Sequence, residues 1–241
     1  MSSQKPKKKY TPKPRPHLEL MEIAPETKNQ ERAFDAFDDG LNLVMAGSPG
    51  TGKTFIALHM ALEEVMDSES YYDRVIIVRS IVPTRDIGFL PGDERDKIDI
   101  YQLPYKSLCE ELFNEKDAYE TLQNDKVIVF ETTSFIRGLT FDRAIIIVDE
   151  MQNMTGHELD SVITRMGTDS RIIFCGDYYQ TDLTRRYERN GLKDFLTILD
   201  NSTYFKTIHF TWEDILRSDM ARDYIMTKEM MKQRDDFNID W

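Results

Sequence analysis

The sequence predicts an α/β fold on a parallel sheet of about five strands, with helices on both faces. Three observations carry this. Short continuous apolar runs recur along the chain, RVIIVR at 74–79, VIVF at 127–130, AIIIV at 144–148 and RIIFC at 171–175. Such runs mark strands covered on both sides rather than one. Segments of helical character separate them, an alternation that yields parallel strands joined by right-handed crossovers. Residues 41–66 read LNLVMA, GSPGTGKT, FIALHMALEEVM, an apolar strand, a glycine-rich loop and a helix in one stretch.

Length and charge bound the rest. At 241 residues the chain suffices for one such domain with a proper core and is short for two. Residues 1–17 are read as a flexible basic, proline-rich tail and 18–241 as the single domain. The first 16 hold four of the nine prolines, which exclude a helix or central strand there. They also carry Lys5, Lys7, Lys8, Lys9, Lys13 and Arg15 without an acid, so a net charge of −12 leaves −18 on the remaining 225 residues. So acidic a body does not advertise general nucleic-acid affinity, although the tail could supply it locally. No apolar run of 18 residues and no leader-like segment is present, so a soluble, cytoplasmic protein is expected, without a membrane partner. Cys109 and Cys175 have neither metal-ligand spacing nor a disulfide framework and read as buried thiols of a reducing compartment.

In chain order, TKNQERAFDAF at 27–37 is read as a helix with Ala33, Phe34 and Phe37 on one side. After the strand at 41–46 and the glycine-rich loop, Leu58, Ala61, Leu62 and Val65 fall at i, i+3, i+4 and i+7, one buried helix face. Beyond the strand at 74–79, SIVPTRDIGFLPGDERDKID is broken by Pro83, Gly88, Pro91 and Gly92. It is expected to be a loop of about twenty residues, a length that is usually functional or mobile. Helices are expected over 100–113 and 117–123. Thr155 and Glu158 form a capping box that opens another, with Leu159, Val162, Ile163 and Met166 as its buried stripe. A helix over 191–199, an extended segment over 204–210 and a helical close from Trp212 complete the chain. Phe34, Phe37, Tyr71, Tyr72 and Phe130 read as core or core edge. His17, His59, His157 and His209 lack metal spacing and read as solvated or packed. Arg79, Arg85 and Arg95 flank the long loop, where a nucleic-acid face and a solvated loop are equally open.

Gly47-Ser48-Pro49-Gly50-Thr51-Gly52-Lys53-Thr54 fits G-x-x-x-x-G-K-[ST] in full. Its glycines let backbone N–H groups turn in on a phosphate chain, Lys53 can reach the β/γ-phosphates, and Thr54 can offer its hydroxyl to Mg²⁺. The helix that follows adds its positive dipole end. In a parallel sheet ligand groups gather at the carboxyl ends of the strands. AIIIV ends in Asp149 and Glu150, which places one carboxylate for Mg²⁺ and the next to polarise an attacking water. RIIFC ends in Gly176-Asp177-Tyr178-Tyr179-Gln180, where Gly176 gives the strand end room to turn and the Gln180 amide can sense a γ-phosphate.

SPGTGKT, IIIVDEMQN and CGDYYQTDL, with RSIVPTRDIGFLPGD between the first two and SFIRGLTFDRA before the second, resemble the PhoH-like ATPases over about residues 25–225. The FLPGD loop is the most specific part, because ordinary phosphate-loop enzymes lack it. The resemblance implies a RecA-like P-loop NTPase, related to superfamily-1 helicase cores, that hydrolyses ATP. It implies Lys53 and Thr54 as phosphate and Mg²⁺ contacts, Asp149 as the metal carboxylate, Glu150 as the general base, Gln180 as the sensor and Gln30 as an adenine-reading glutamine. Where the family carries R-G-R-T this chain has Arg137-Gly138-Leu139-Thr140, which puts a role for the second arginine in question. The chain resembles the short form found in bacteria and their phages, without a ribonuclease domain, so no nuclease activity is expected, and the compartment for a phage member is the host cytoplasm.

Two functions compete. One couples ATP hydrolysis to single-stranded RNA or DNA, RNA first by resemblance, and the basic tail and loop arginines favour it. The other is an ATP-gated switch on a protein partner, which the acidic body favours. Superfamily-1 motors seat ATP between two RecA-like domains and this chain has sequence for one. A homo-hexameric ring is therefore expected, each subunit lending an arginine to its neighbour. Arg217, which aligns with the family's D-x-x-R, is the candidate, against a bland pairing with Glu213 at i−4. Arg185, Arg186 and Arg189 are in reserve.

Overall fold

The computed structural model describes residues 16–80, 94–177 and 186–238. Six strands, β1 (Asn42–Gly47), β2 (Arg74–Arg79), β3 (Ile128–Thr132), β4 (Ala144–Val148), β5 (Arg171–Gly176) and β6 (Phe205–Phe210), form one sheet in the order β3-β2-β4-β5-β1-β6. Every pairing is parallel, so all carboxyl ends share one edge. The helices are α1 (Lys28–Asp38), α2 (Lys53–Met66), α3 (Glu94–Phe113), α4 (Ala118–Asn124), α5 (Gly156–Ile163), α6 (Arg186–Asp200) and α7 (Asp219–Asn238).

The apolar runs are explained by two cores, one on each face. Leu43 and Met45 of β1, Val75 and Ile77 of β2 and Ile145 and Ile147 of β4 point into a core shared with α1 to α4. Val44, Ile76, Val78, Ile146 and Val148 point the other way, into a core with Leu159 of α5 and Leu192, Phe195 and Leu199 of α6. Successive strand residues alternate faces, so a strand buried on both has no room for a polar position.

The sheet has one strand more than the five strongest runs suggest. The segment expected to be extended over 204–210 joins β1 on its far side, in register from Asn42↔Phe205 to Gly47↔Phe210. As an edge strand it leaves Lys206 and His209 exposed, which is why it lacks a continuous apolar signature. Three other expectations shift. α3 begins at Glu94 rather than near Ile100, taking in the end of the stretch expected to be a loop, and 81–93, which contain FLPGD, lie outside the described residues. α5 stops at Ile163, and Met166 reaches the same core from the following turn, bridged to Phe141. Tyr71 is not core edge: it is 72% exposed in the turn before β2, where the half-buried Tyr72 takes the packing position. Phe37 is buried, and Phe34 and Phe130 pack on the core as expected. Both cysteines are buried and free, His59 is packed, and His17, His157 and His209 are exposed.

Candidate functional site

Gly47 ends β1 with φ 138°, and a Cβ there would lie 1.9 Å from the carbonyl oxygen of Phe210. The adjoining strand, as much as any ligand, demands glycine. The loop continues through Gly50 and Gly52, both left-handed at φ 74° and 79°, and Gly52 opens α2 with no side-chain cap. The first N–H groups of α2 therefore have no internal acceptor, which suits an anion. The Lys53 ammonium donates back onto the loop, to Gly47 O at 3.0 Å, Ser48 O at 2.6 Å and Thr51 Oγ1 at 3.1 Å. Burial lowers its pKa, and the charge of Asp177 opposes the shift.

β4 delivers the carboxylates to the same place. Thr54 Oγ1 donates to Asp149 Oδ1 at 2.8 Å across 95 residues of chain, while the buried Tyr105 hydroxyl of α3 donates to Asp149 Oδ2 at 2.7 Å. Glu150 follows in the left-handed region, φ 55° and ψ 41°, at the start of a 3₁₀ turn over Met151–Asn153. A non-glycine residue held there costs of order 1 kcal/mol or more. Burial raises its carboxyl pKa, and the charge of Asp149 raises it further. The Gln152 amide donates to Glu150 Oε2, and its Oε1 accepts the backbone N–H of Asp177 at 2.9 Å. One side chain, 2% exposed, thus ties the ends of β4 and β5 together. Gly176 makes room for it, since a Cβ there would lie 2.5 Å from Met151 Cγ and 2.7 Å from Gln152 Oε1.

Gln30 is buried beside the loop, its Nε2 donating to Thr51 O at 3.1 Å and its Oε1 accepting from the Glu26 N–H at 2.8 Å. Two adjoining cavities share Gly50, Gly52, Phe55, Leu108 and Arg217. The polar one holds Lys53, Thr54, Asp149, Glu150, Gln152 and Asp177. The other is walled by Met21, Ile23, Ile56 and Leu216, with Gln30 among its polar groups. Of the expected residues, Gly47 to Thr54, Asp149, Glu150 and Gln30 come together, while Gln180 and Arg185 lie outside the described residues.

Arg217 is placed differently from the expectation. It lies in the bend between a 3₁₀ turn (Trp212–Asp214) and α7, not on a helix facing Glu213. Its stem rests on the loop of its own chain, so that a Cβ on Gly50 would meet Arg217 Cγ at 2.9 Å, and the Leu216 N–H donates to Gly50 O at 2.9 Å. It lies at the rim shared by the two cavities of its own chain. The same strap holds Ser48, whose hydroxyl donates at 2.9 Å to the buried Glu229 of α7, which also receives the Trp212 indole N–H. Gln152, Tyr105, Asp177 and Glu229 went unassigned in the sequence. Gln152 and Asp177 had a local signal, the one two residues past Glu150 and the other directly after Gly176 at a strand end.

Fold and site together define the class, a RecA-like phosphate-loop protein with its ligand groups at the carboxyl edge of a parallel sheet. The family model described as PhoH-like protein matches residues 22–229, and the chain belongs to that family. It is 33% identical over 184 residues to a PhoH-like protein of Synechocystis, covering 76% of this chain and 55% of that one. To the protein PhoH of Escherichia coli it is 32% identical over 178 residues, covering 73% and 49%. The chain spans about half the length of these curated relatives. Among solved structures, the large terminase of a thermophilic bacteriophage in complex with ADP matches with a TM-score of 0.50 and 14% identity, over 82% of this chain and 48% of that one. The same terminase with ATP-gamma-S gives 0.50 and 15%, a likeness of fold alone. No described helix is long and apolar enough to cross a membrane.

Proposed function

We propose that this protein is a Mg²⁺-dependent ATPase that couples hydrolysis to handling of single-stranded RNA or DNA in the cytoplasm. The contact between Thr54 and Asp149, with Lys53 and Glu150 on either side, is the observation that supports it most. On this reading the cavity beside Gln30, walled by both apolar and polar side chains, would take the adenine, and the one beside Lys53 the phosphates. Thr54 and Asp149 would hold Mg²⁺, a hard cation that takes few protein ligands, and when bound it would neutralise charge on the β/γ-phosphates.

The chain's own groups do the rest. Lys53 exchanges its loop acceptors for phosphate oxygens. Glu150, its carboxyl pKa raised, accepts the proton of a water whose oxygen bonds to the γ-phosphorus as the bond to the bridging oxygen breaks and ADP departs. Gln152 holds Glu150 in line, Arg217 supplies a cation at the rim, and Gln180 is the γ-phosphate sensor by family resemblance. A ring of six copies belongs to this reading, because one RecA-like domain supplies only one wall of a two-domain motor site. Release of phosphate from ATP, with and without Mg²⁺ and single-stranded RNA, tests it. Stimulation by RNA that fades as salt rises is expected. No stimulation at any salt removes the nucleic-acid half, and no Mg²⁺-dependent turnover removes the enzyme.

A second reading, an ATP-gated switch on a protein partner, is favoured by α7. Met220, Tyr224 and Met231 lie on one helix face at 82%, 66% and 60% exposure, turned away from Glu229. ATP-dependent retention of a protein, with turnover indifferent to RNA, would select it.

A further inference from the structure

Asp149 has two carboxylate oxygens with different partners. Oδ1 takes the Thr54 hydroxyl and so faces the phosphate loop, while Oδ2 takes the Tyr105 hydroxyl and faces α3. The residue that would hold the metal is thus clamped from behind by a side chain more than forty positions upstream, on a different helix.

The clamp is well supported. Tyr105 is 1% exposed, its ring packs against Phe130 of β3 with centroids 5.8 Å apart, and Cys109 and Leu112 of the same helix are buried in the same core. Arg79, at the carboxyl end of β2, brings its positive charge close to the same hydroxyl and to Asp149. The Arg79 guanidinium in turn stacks on Tyr101, one turn before Tyr105 on α3, at 5.6 Å from the ring centroid.

The geometry points to Tyr105 as a positioning residue for the metal carboxylate, holding Asp149 Oδ2 so that Oδ1 is presented beside Thr54. This rests on the reading of Asp149 as the Mg²⁺ carboxylate. Ligating carboxylates are commonly fixed by such hydrogen bonds, and loss of one typically lowers metal affinity about ten- to a hundredfold. Without the hydroxyl, Oδ2 lacks its donor and the carboxylate can turn away from Thr54.

Tyr105→Phe keeps the ring and removes only the hydroxyl. The measurement is binding of a fluorescent ATP analogue to the full chain, titrated with Mg²⁺ and repeated in EDTA, in a Glu150→Gln background so that nothing is hydrolysed. Tyr105→Phe is expected to raise the Mg²⁺ concentration at half-effect about tenfold while EDTA affinity stays within about twofold. An unchanged Mg²⁺ requirement overturns the inference. So does an equal fall of binding with and without metal, which would make Tyr105 a packing residue. If Mg²⁺ has no effect on binding to the Glu150→Gln parent itself, the assignment of Asp149 fails first, and the two failures are told apart.

Discussion

Glu150 is half-buried, left-handed and beside another carboxylate, three costs borne by one residue. Each raises the expectation of function, since strain and perturbed acidity gather where chemistry needs them. Its raised pKa sets the sign of the pH response. A base must be deprotonated, so turnover should fall on acidification at a pH above the ordinary carboxylate range, read from kcat between pH 5 and 8. Gln152→Ala leaves Glu150 without its donor and the Asp177 N–H without its acceptor. We expect kcat to fall by about tenfold or more with KM for ATP little changed, because the amide hydrogen-bonds the carboxylate proposed as base rather than the phosphate loop. Lys53→Ala should instead weaken ATP binding itself, seen directly by calorimetry.

At the scale of elements, the site is a meeting of strand ends, and the devices that join them are the exposed points of failure. Gly47→Ala would press a methyl group onto Phe210 O at a φ that L-residues avoid, separating β1 from β6. A loss of several degrees in Tm is expected even without nucleotide. The capping box of α5 does more than cap. Glu158 closes it on Thr155 and also receives the hydroxyls of Ser80 and Thr133, beyond the ends of β2 and β3. Those hydrogen bonds outweigh burial and hold its pKa below the usual value. A depressed carboxyl pKa stabilises the fold above the unfolded-state value and loses that contribution as pH falls through the folded one. Glu158→Gln should therefore cost stability at pH 7 and less at pH 3, measured by urea unfolding. What was legible at this scale follows from locality. Gly47 to Thr54, Asp149-Glu150 and Thr155/Glu158 are each written in adjacent residues, so motif and periodicity expose them. Tyr105 on Asp149, Glu229 on Ser48 and Arg217 on Gly50 depend on which distant helix or bend folds over the loop, and no local pattern encodes that.

For the whole molecule, the double-sided burial of the central strands was readable because both faces must be apolar, while the edge strand β6 alternates and gave only an extended segment. Its place beside β1 turns the following strap across the phosphate loop, which brings Arg217 to its own cavity. On the proposed reading, sedimentation with ATP and Mg²⁺ should show a six-subunit species, and Arg217→Ala tests whether that residue serves its own site or a neighbour's. The central claim, that ATP is bound at this loop and cleaved with Glu150 as base, is tested most directly by Glu150→Gln, with phosphate release and ATP affinity measured on the same preparation in Mg²⁺. The account predicts release lowered at least about a hundredfold with affinity within about threefold of the parent. Release at the parental rate would contradict it.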